Sequence, residues 1–538
     1  MNRSAQQDRF AHDRLPSREA WPKLRYDRPE LRLPERINLV DELLDKAAGK
    51  PWAQRPMLRS SSLTLTYAEA RERVDRICRV LVEDLGVTPG NRVLLRGGNS
   101  IGMALAWLAV VKCGAIAVAT MPLLRARELG DIIDKAEPAL ALCDANLMQE
   151  LELAQRSHAV LKKVVRFNAA GLAQSLDTLA QAKAGAFDAC PTLGDDIALL
   201  AFTSGTTGKP KAAVHTHRDV VAACEAWPRH VLKAAPEDIV VGSPPLAFTF
   251  GLGGLLMFPM WAGSSVYFPD GPYTPETMVK TIVERGATIC YTAPTFYRAM
   301  APFARQHGVG RLRICVSAGE GLPDATRQLW KDASGIEMTD GIGATEMFHI
   351  FISSGPGEVK RGAIGKVVPG YAAKVVDDEG REVPRGTIGK LAVIGPTGCK
   401  YLDDARQASY VKNGWNYPGD AFVEDDEGYF FYQARADDMI ITSGYNVGGP
   451  EVEDALLKHP AVAECGVIGE PDEERGMIVK AFVVLKPGHA GDEPMVRALQ
   501  EHVKSMIAPY KYPRRVEFVA SLPRTETGKL QRFRLRQM

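Results

Sequence analysis

The chain has little of what would mark a specialised environment. Its 66 Lys and Arg are matched by 65 Asp and Glu, a net charge of +1. That balance leaves no broad field for a nucleic acid or another polyanion. Nine cysteines are scattered over 538 residues, and no two stand at Cys-x-x-Cys spacing. A disulfide framework and a cysteine-rich zinc site are therefore not expected, and a reducing, cytoplasmic setting is. The N-terminus mixes arginines with Asp8, Asp13, Glu19 and Asp27 and has no apolar segment of the secretory kind. The final Arg-Gln-Met shows no lipidation or peroxisomal signal. Long apolar runs are scarce. In residues 101–124 the only charge is Lys112, but Gly102, Gly114 and Pro122 interrupt the run. This predicts a buried helix over 100–112 and a buried strand over 116–120, with no membrane span. The rest is ordinary globular composition, 46 % hydrophobic and 24 % charged, with length for roughly three or four folding units.

Residues 1–35 are polar, Arg-rich and Pro-bearing, and read as an arm lying over the surface. From residue 37 to about 340, helical patterns alternate with short apolar strands, for example at 92–95, 116–120, 139–143, 197–202, 239–243, 289–292 and 314–317. Such alternation predicts an α/β fold with largely parallel sheets, here in two similar α/β subdomains. Residues 360–434 change texture to glycines, acidic turns and short alternating strands, a β-rich subdomain. After Arg435-Ala-Asp-Asp438 a small α+β domain is expected. The boundaries are thus 1–434 for a large N-terminal domain, 435–438 for a hinge and 439–538 for a mobile C-terminal domain.

The strongest local pattern is Thr203, Ser204, Gly205, Thr206, Thr207, Gly208 and Lys209, followed by Pro210 and Lys211, with an apolar strand leading into it. Glycines let backbone N–H groups converge, and hydroxyls with ammonium groups surround a polyanion; the segment reads as a phosphate cradle. It is not a Walker A loop, since two residues rather than four separate the glycines and Pro210 follows Lys209. Residues 212–215 read as a returning strand, and Thr216 with Asp219 as a helix cap. His215 and His217 would share a face on a strand. No third ligand stands at useful spacing, and both are taken as structural.

With this loop the chain resembles the adenylate-forming superfamily of acyl- and aryl-CoA synthetases, peptide-synthetase adenylation domains and luciferase. The resemblance spans essentially the whole chain. Five further motifs fall in the family's order: Ser317-Ala-Gly-Glu320, Asp340-Gly-Ile-Gly-Ala-Thr-Glu346, Tyr417-Pro-Gly-Asp420, Arg435-Ala-Asp-Asp438 and Pro523-Arg-Thr-Glu-Thr-Gly-Lys529. The resemblance implies a two-step ligase. A carboxylate and Mg·ATP give an acyl-adenylate and pyrophosphate; the thiol of coenzyme A then displaces AMP. It assigns Thr345 to a phosphate, Glu346 to Mg²⁺, and Lys529 to the bridge between carboxylate and α-phosphate. Residues 203–209, Gly319, Glu320, Gly341, Ile342, Gly343, Asp420 and Arg435 fall to ATP, with Asp420 on the ribose hydroxyls. Gly341, Gly343, Thr345 and Glu346 read as a loop under the nucleotide, and Ile342 replaces the aromatic that many relatives place against adenine. Asp437 corresponds to the hinge. Ser443, Gly444 and Tyr445 would line the pantetheine tunnel, although Ile441 stands where many relatives carry Lys.

Within the superfamily, the stretches around Phe248, Thr249 and Phe250 and around Met347, Phe348, His349 and Ile350 are similar to the benzoate–CoA ligase group. Residues 120–125, 315–320 and 507–513 look closest to 2-aminobenzoate–CoA ligases. The resemblance gives Thr249, Phe250, His349 and Ile350 contacts to the aromatic ring. Phe248, Ala318 and the remaining stretches complete a modest, flat-walled pocket for a small aromatic acid. Alternatives remain: an adenylation enzyme that loads a carrier protein, a CoA ligase for another small acid, or a non-catalytic nucleotide binder. Neither nucleic acid nor membrane is an expected partner. Oligomeric state stays open, a homodimer included.

Overall fold

The computed structural model describes residues 4–203, 210–442, 445–472, 475–525 and 528–538. Among these, the chain forms four sheets. The first is six-stranded, ordered Lys163–Phe167, Leu140–Asp144, Arg92–Arg96, Ile116–Thr120, Ile197–Thr203 and Lys211–Thr216. All its pairs are parallel except the last, where Lys211–Thr216 returns antiparallel along Ile197–Thr203. The second is nine-stranded. Its centre runs Met338–Gly343, Ile314–Ser317, Ile289–Thr292 and Ile239–Gly242, all parallel. The expected strands are therefore present, in two α/β subdomains. A smaller antiparallel sheet around Gly389–Ile394, Asp420–Glu424 and Phe430–Arg435 is the β-rich subdomain. The small C-terminal domain is built on the long hairpin Val462–Asp472 and Gly476–Leu485, with helices Gly449–Leu457 and Glu493–Met506.

The apolar run does fold as a buried helix, Ile101–Lys112. The Ser100 side chain accepts from the Met103 N–H at its start. Every residue from Met103 to Lys112 is buried, as expected for a helix that is apolar all round. The buried Lys112 ammonium lies 2.7 Å from Asp45 and 2.5 Å from Asp75, the pairing that burying a charge requires. Among the described residues no helix is long and apolar enough to cross a membrane.

The N-terminal arm is a strap with specific anchors. Gln6 is buried; its amide donates to the carbonyls of Gly114 and Ile197 and accepts from the Ile197 N–H. Asp8 pairs with Arg92. Further on, Lys23 and Arg25 donate backbone N–H groups to Gly414 and Gly395. The arm thus ties the first sheet to the β-rich subdomain.

Two local expectations are corrected. Gly341 and Gly343 belong to the strand Met338–Gly343, not to a loop, because pairing with Ile350–Ser353 engages that backbone. His215 and His217 do not share a face either. His215 lies in the strand, while His217 begins the helix His217–Trp227, capped by Thr216 and Asp219 as expected. The helix turn rotates His217 away, and its Nδ1 accepts from the Leu39 N–H.

Candidate active site

The cleft lies where both large sheets, the β-rich subdomain and the C-terminal domain meet. Its charged end is organised by the strand Met338–Gly343 and the short 3₁₀ turn Thr345–Met347 that follows. Gly341 and Gly343 are needed for close approach. An added Cβ would sit 2.8 Å from the Ile350 side chain at Gly341 and 2.6 Å from the His349 carbonyl at Gly343. Asp340 is buried 3.7 Å from Arg327 and accepts from the Gly341 N–H. Burial pushes its carboxyl up to about 6, against the pull of Arg327.

Glu346 is buried and its Oε1 accepts from the Tyr401 hydroxyl at 2.5 Å. Lys211 donates to the same hydroxyl oxygen at 2.9 Å and stands 3.5 Å from Oε1. Behind the turn, His215 Nε2 donates to the Thr345 carbonyl at 2.7 Å. Its ring is fully buried and held below the ordinary histidine value by desolvation, with Asp219 opposing that shift, which suits a neutral donor. On the facing wall, Arg435 donates to Asp420 at 3.1 Å and to the Pro418 carbonyl at 2.8 Å. Gly419 between them has φ +86°, and a Cβ there would meet the guanidinium at 2.6 Å.

Lys529 enters from the C-terminal domain. Its turn is closed by the Thr525 N–H donating to the Lys529 carbonyl, and by the Lys529 N–H donating to Thr525 Oγ1. The side chain reaches Gly319: a Cβ added there would lie 3.7 Å from the Lys529 Cε. Gly319 itself has φ +98°. The lysine is exposed to water at the cleft mouth, yet protein surrounds it on most sides. Desolvation therefore leads in lowering its ammonium below the ordinary value; Glu320, Asp420 and Glu346 act to raise it and Arg435 to lower it. Glu320 accepts from the Thr295 N–H and hydroxyl and lies 4.0 Å from Arg524 of the C-terminal domain. Two further contacts hold the domains in this arrangement. Asp454 accepts from the Ala325 N–H at the start of helix Asp324–Ser334, and Lys458 stands 3.4 Å from Asp324.

Beyond the Thr345–Met347 turn lies a buried aromatic cluster. His349 is buried among Phe258, Phe250 and Trp227, with ring centroids 4.5, 5.5 and 5.5 Å away. Its Nε2 lies 3.3 Å from the Phe250 carbonyl, and among the described residues Nδ1 has no partner. Desolvation holds this imidazole down at about 3. Tyr291 closes the floor, 5.8 Å from Phe250. Glycines let these rings pack against the backbone: a Cβ on Gly253 would strike the His349 ring at 2.5 Å, and one on Gly254 the Tyr291 ring at 2.7 Å. Thr249, Ala318 and Ile350 are buried, and Phe248 is half-buried beside them in sequence.

The structure thus brings together Thr345, Glu346, Gly319, Glu320, Asp420, Arg435 and Lys529 around one cleft, and Phe250 with His349 at its aromatic end. Thr203 ends its strand with its hydroxyl buried and unpartnered among the described residues. Ser204, Gly205, Thr206, Thr207, Gly208, Lys209, Ser443 and Gly444 lie outside the described residues. Tyr445 is exposed and stacked on Tyr510 at 4.6 Å. The backbone of Asp437 lies in the short turn Ala436–Asp438 between two strands. Tyr401, Tyr291 and Trp227 were not singled out by sequence. Lys211 and His215 were named there, as the end of the phosphate-cradle segment and as a structural histidine, and strand alternation puts both on one face.

Residues 44–400 match the AMP-binding enzyme family and residues 451–529 the AMP-binding enzyme C-terminal domain. The chain belongs to the AMP-binding enzyme family. As a member it is an acid–thiol ligase. It is 35 % identical to the benzoate–CoA ligase of Thauera aromatica, over 94 % of this chain and 97 % of that one. Among solved structures it is similar to the anthranilate CoA ligase AuaEII in complex with anthranoyl-AMP, with TM-score 0.89, 35 % identity, and 95 % and 98 % of the two chains covered. A benzoate CoA ligase from Burkholderia xenovorans LB400 superposes with TM-score 0.84 at 31 % identity, covering 93 % and 100 %. The large N-terminal and small C-terminal domains of this AMP-binding enzyme follow the fold of these neighbours.

Proposed function

We propose that this AMP-binding enzyme is an aryl-acid–CoA ligase acting on 2-aminobenzoate or benzoate. The observation that carries the reading is the segment Thr345–Ile350, which sets Glu346 among the charged groups around Lys529 and, three residues on, His349 among Phe250, Phe258 and Trp227. The Asp420–Arg435 pair stands with the charged groups. In this reading a flat aromatic ring seats against these side chains, with its carboxylate toward Lys529.

The first step joins a carboxylate oxygen to the α-phosphorus of ATP and breaks the bond to the β-phosphate oxygen, releasing pyrophosphate. Little proton transfer is required, so catalysis is placement and charge. The Lys529 ammonium is placed to neutralise the approach of two anions, an electrostatic contribution on the order of 3–4 kcal/mol in such sites. Asp420, held by Arg435, is placed to accept from ribose hydroxyls. In the second step the thiol of coenzyme A adds to the aryl carbonyl, loses its proton and expels AMP. Lys529 must leave the cleft for this, so the small domain turns about residues 435–438 and the hairpin bearing Tyr445 takes its place. Glu346 fits a Mg²⁺ ion: it is a hard oxygen ligand, and among the described residues no hydrogen bond reaches its Oε2. When bound, Mg²⁺ supplies charge neutralisation on the substrate phosphates.

The test is AMP release from Mg·ATP and coenzyme A with benzoate, 2-aminobenzoate, a hydroxybenzoate, phenylacetate and a medium-chain fatty acid. A peak on benzoate or 2-aminobenzoate is expected. Activity on the fatty acid alone overturns the aryl assignment, and adenylate formation without thioester overturns coenzyme A as the acceptor.

A further inference from the structure

Tyr401 has a fully buried side chain outside every motif discussed above. Its backbone is locked onto the strand Lys211–Thr216. Tyr401 bridges Ala213; Leu402 donates to the Ala212 carbonyl, and Val214 donates to the Lys400 carbonyl. The Gln407 side chain accepts from the Tyr401 N–H. Lys211 lies on the same face of that strand as His215. The strand and its neighbour therefore grip the Thr345–Met347 turn at two points. His215 holds the Thr345 carbonyl, and Tyr401 with Lys211 holds the Glu346 carboxylate.

We propose that Tyr401 is a positioning residue for divalent-cation binding. Its hydroxyl donates to Oε1 of Glu346 while its oxygen accepts from Lys211, so the carboxylate is fixed with Oε2 as the oxygen left to take the cation. Two facts make this more than the satisfaction of a buried phenol. The partner is the one carboxylate of the turn, not a backbone carbonyl. The lysine also completes the hydroxyl's acceptor side, so the phenol cannot rotate away without losing both contacts. A phenol, ordinarily titrating near 10, is a donor at neutral pH. Partners that orient a metal ligand in this way typically change metal affinity by about 10–100-fold.

The inference rests on Glu346 as the metal ligand, and the experiment separates the two. Mn²⁺ binding is measured by water-proton relaxation on the full chain with α,β-methylene-ATP, and nucleotide binding is measured separately without metal. Tyr401→Phe keeps the ring and removes the hydroxyl. It is expected to weaken Mn²⁺ about tenfold, leave metal-free nucleotide affinity within twofold, and raise the Mg²⁺ needed for half-maximal pyrophosphate release. Unchanged Mn²⁺ affinity in Tyr401→Phe, with affinity lost in Glu346→Gln, overturns the positioning role alone. Unchanged affinity in Glu346→Gln overturns the ligand assignment beneath it. Should Tyr401→Phe fail to fold, Glu346→Asp gives the second reading. It keeps the charge but withdraws the carboxylate from Tyr401 by one methylene, and Mn²⁺ affinity equal to the parent's would overturn the proposal.

Discussion

The two ends of the cleft are built on opposite principles. At the charged end, Glu346, Asp420 and the backbone of Thr345 each have an assigned donor, and Lys529 is surrounded by carboxylates and Arg435. At the aromatic end, His349 and Tyr291 each carry a buried polar atom with no partner among the described residues, and both rings pack on glycines. Charge placement can be shared by every member of a family that handles the same nucleotide. Shape and a single polar atom then separate one acid from another, at about 1–3 kcal/mol per small group.

Four changes would break or sharpen that contrast. The largest is at the charged end: Lys529→Ala should slow adenylation by about 10²–10³, while thioester formation from supplied aryl-adenylate stays near the parent rate. Pyrophosphate release and thioester formation, measured separately, check this, and equal loss in both would remove the assignment. At the aromatic end, Gly254→Ala drives a methyl against Tyr291. It should lower kcat/KM for the aryl acid roughly 10–100-fold, with the KM for ATP unmoved; a parallel rise in both constants would show that the two ends are not independent.

The third change concerns pH. His349 is held neutral by burial down to about 3, below the ordinary 6.5 of the unfolded chain. Its contribution to stability is therefore complete above about 6.5 and declines as pH falls toward 3, by about 1.4 kcal/mol per unit. Asp340, raised to about 6, works the other way, since its folded state takes up a proton first as pH falls from 6 to 4. The comparison to make is thus between parent and His349→Phe melting at pH 7.5 and 5.0. The variant should lose less of its midpoint on acidification, and an identical loss would place the proton elsewhere.

The smallest effect is at the domain contact. Asp324→Ala removes the carboxylate facing Lys458 and Arg361. An exposed pair is worth under about 1 kcal/mol, so adenylation should slow about two- to fivefold and the thioester step should not. Slowing of the thioester step instead would mean that the contact belongs to the other arrangement of the domains.

Much of the fold was legible because burial leaves a pattern. Strands 116–120, 289–292 and 314–317 were read with their observed bounds, and Thr216 caps its helix as its residue type predicts. The glycines at 341 and 343 were misread as a loop, because composition does not show that Ile350–Ser353 folds back to pair with them. The HxH pair was misplaced on one face because a strand-to-helix junction falls between its members. The charged residues of the cleft were found by their motifs. Tyr291, Trp227 and Tyr401 were not, since an aromatic in a core strand or helix looks alike whether or not it borders a site.

By itself the sequence determined the elements, their order, the texture change near residue 435 and the chemical types available for adenylation. These follow from local periodicity and from side chains whose chemistry does not depend on neighbours. Only the tertiary structure decided that Lys529 stands beside Gly319, that Tyr401 and Lys211 share one carboxylate, and that His349 and Tyr291 pack directly on Gly253 and Gly254. Each of these joins residues far apart along the chain. Such distances are set by the packing of sheets against one another, which no local pattern encodes.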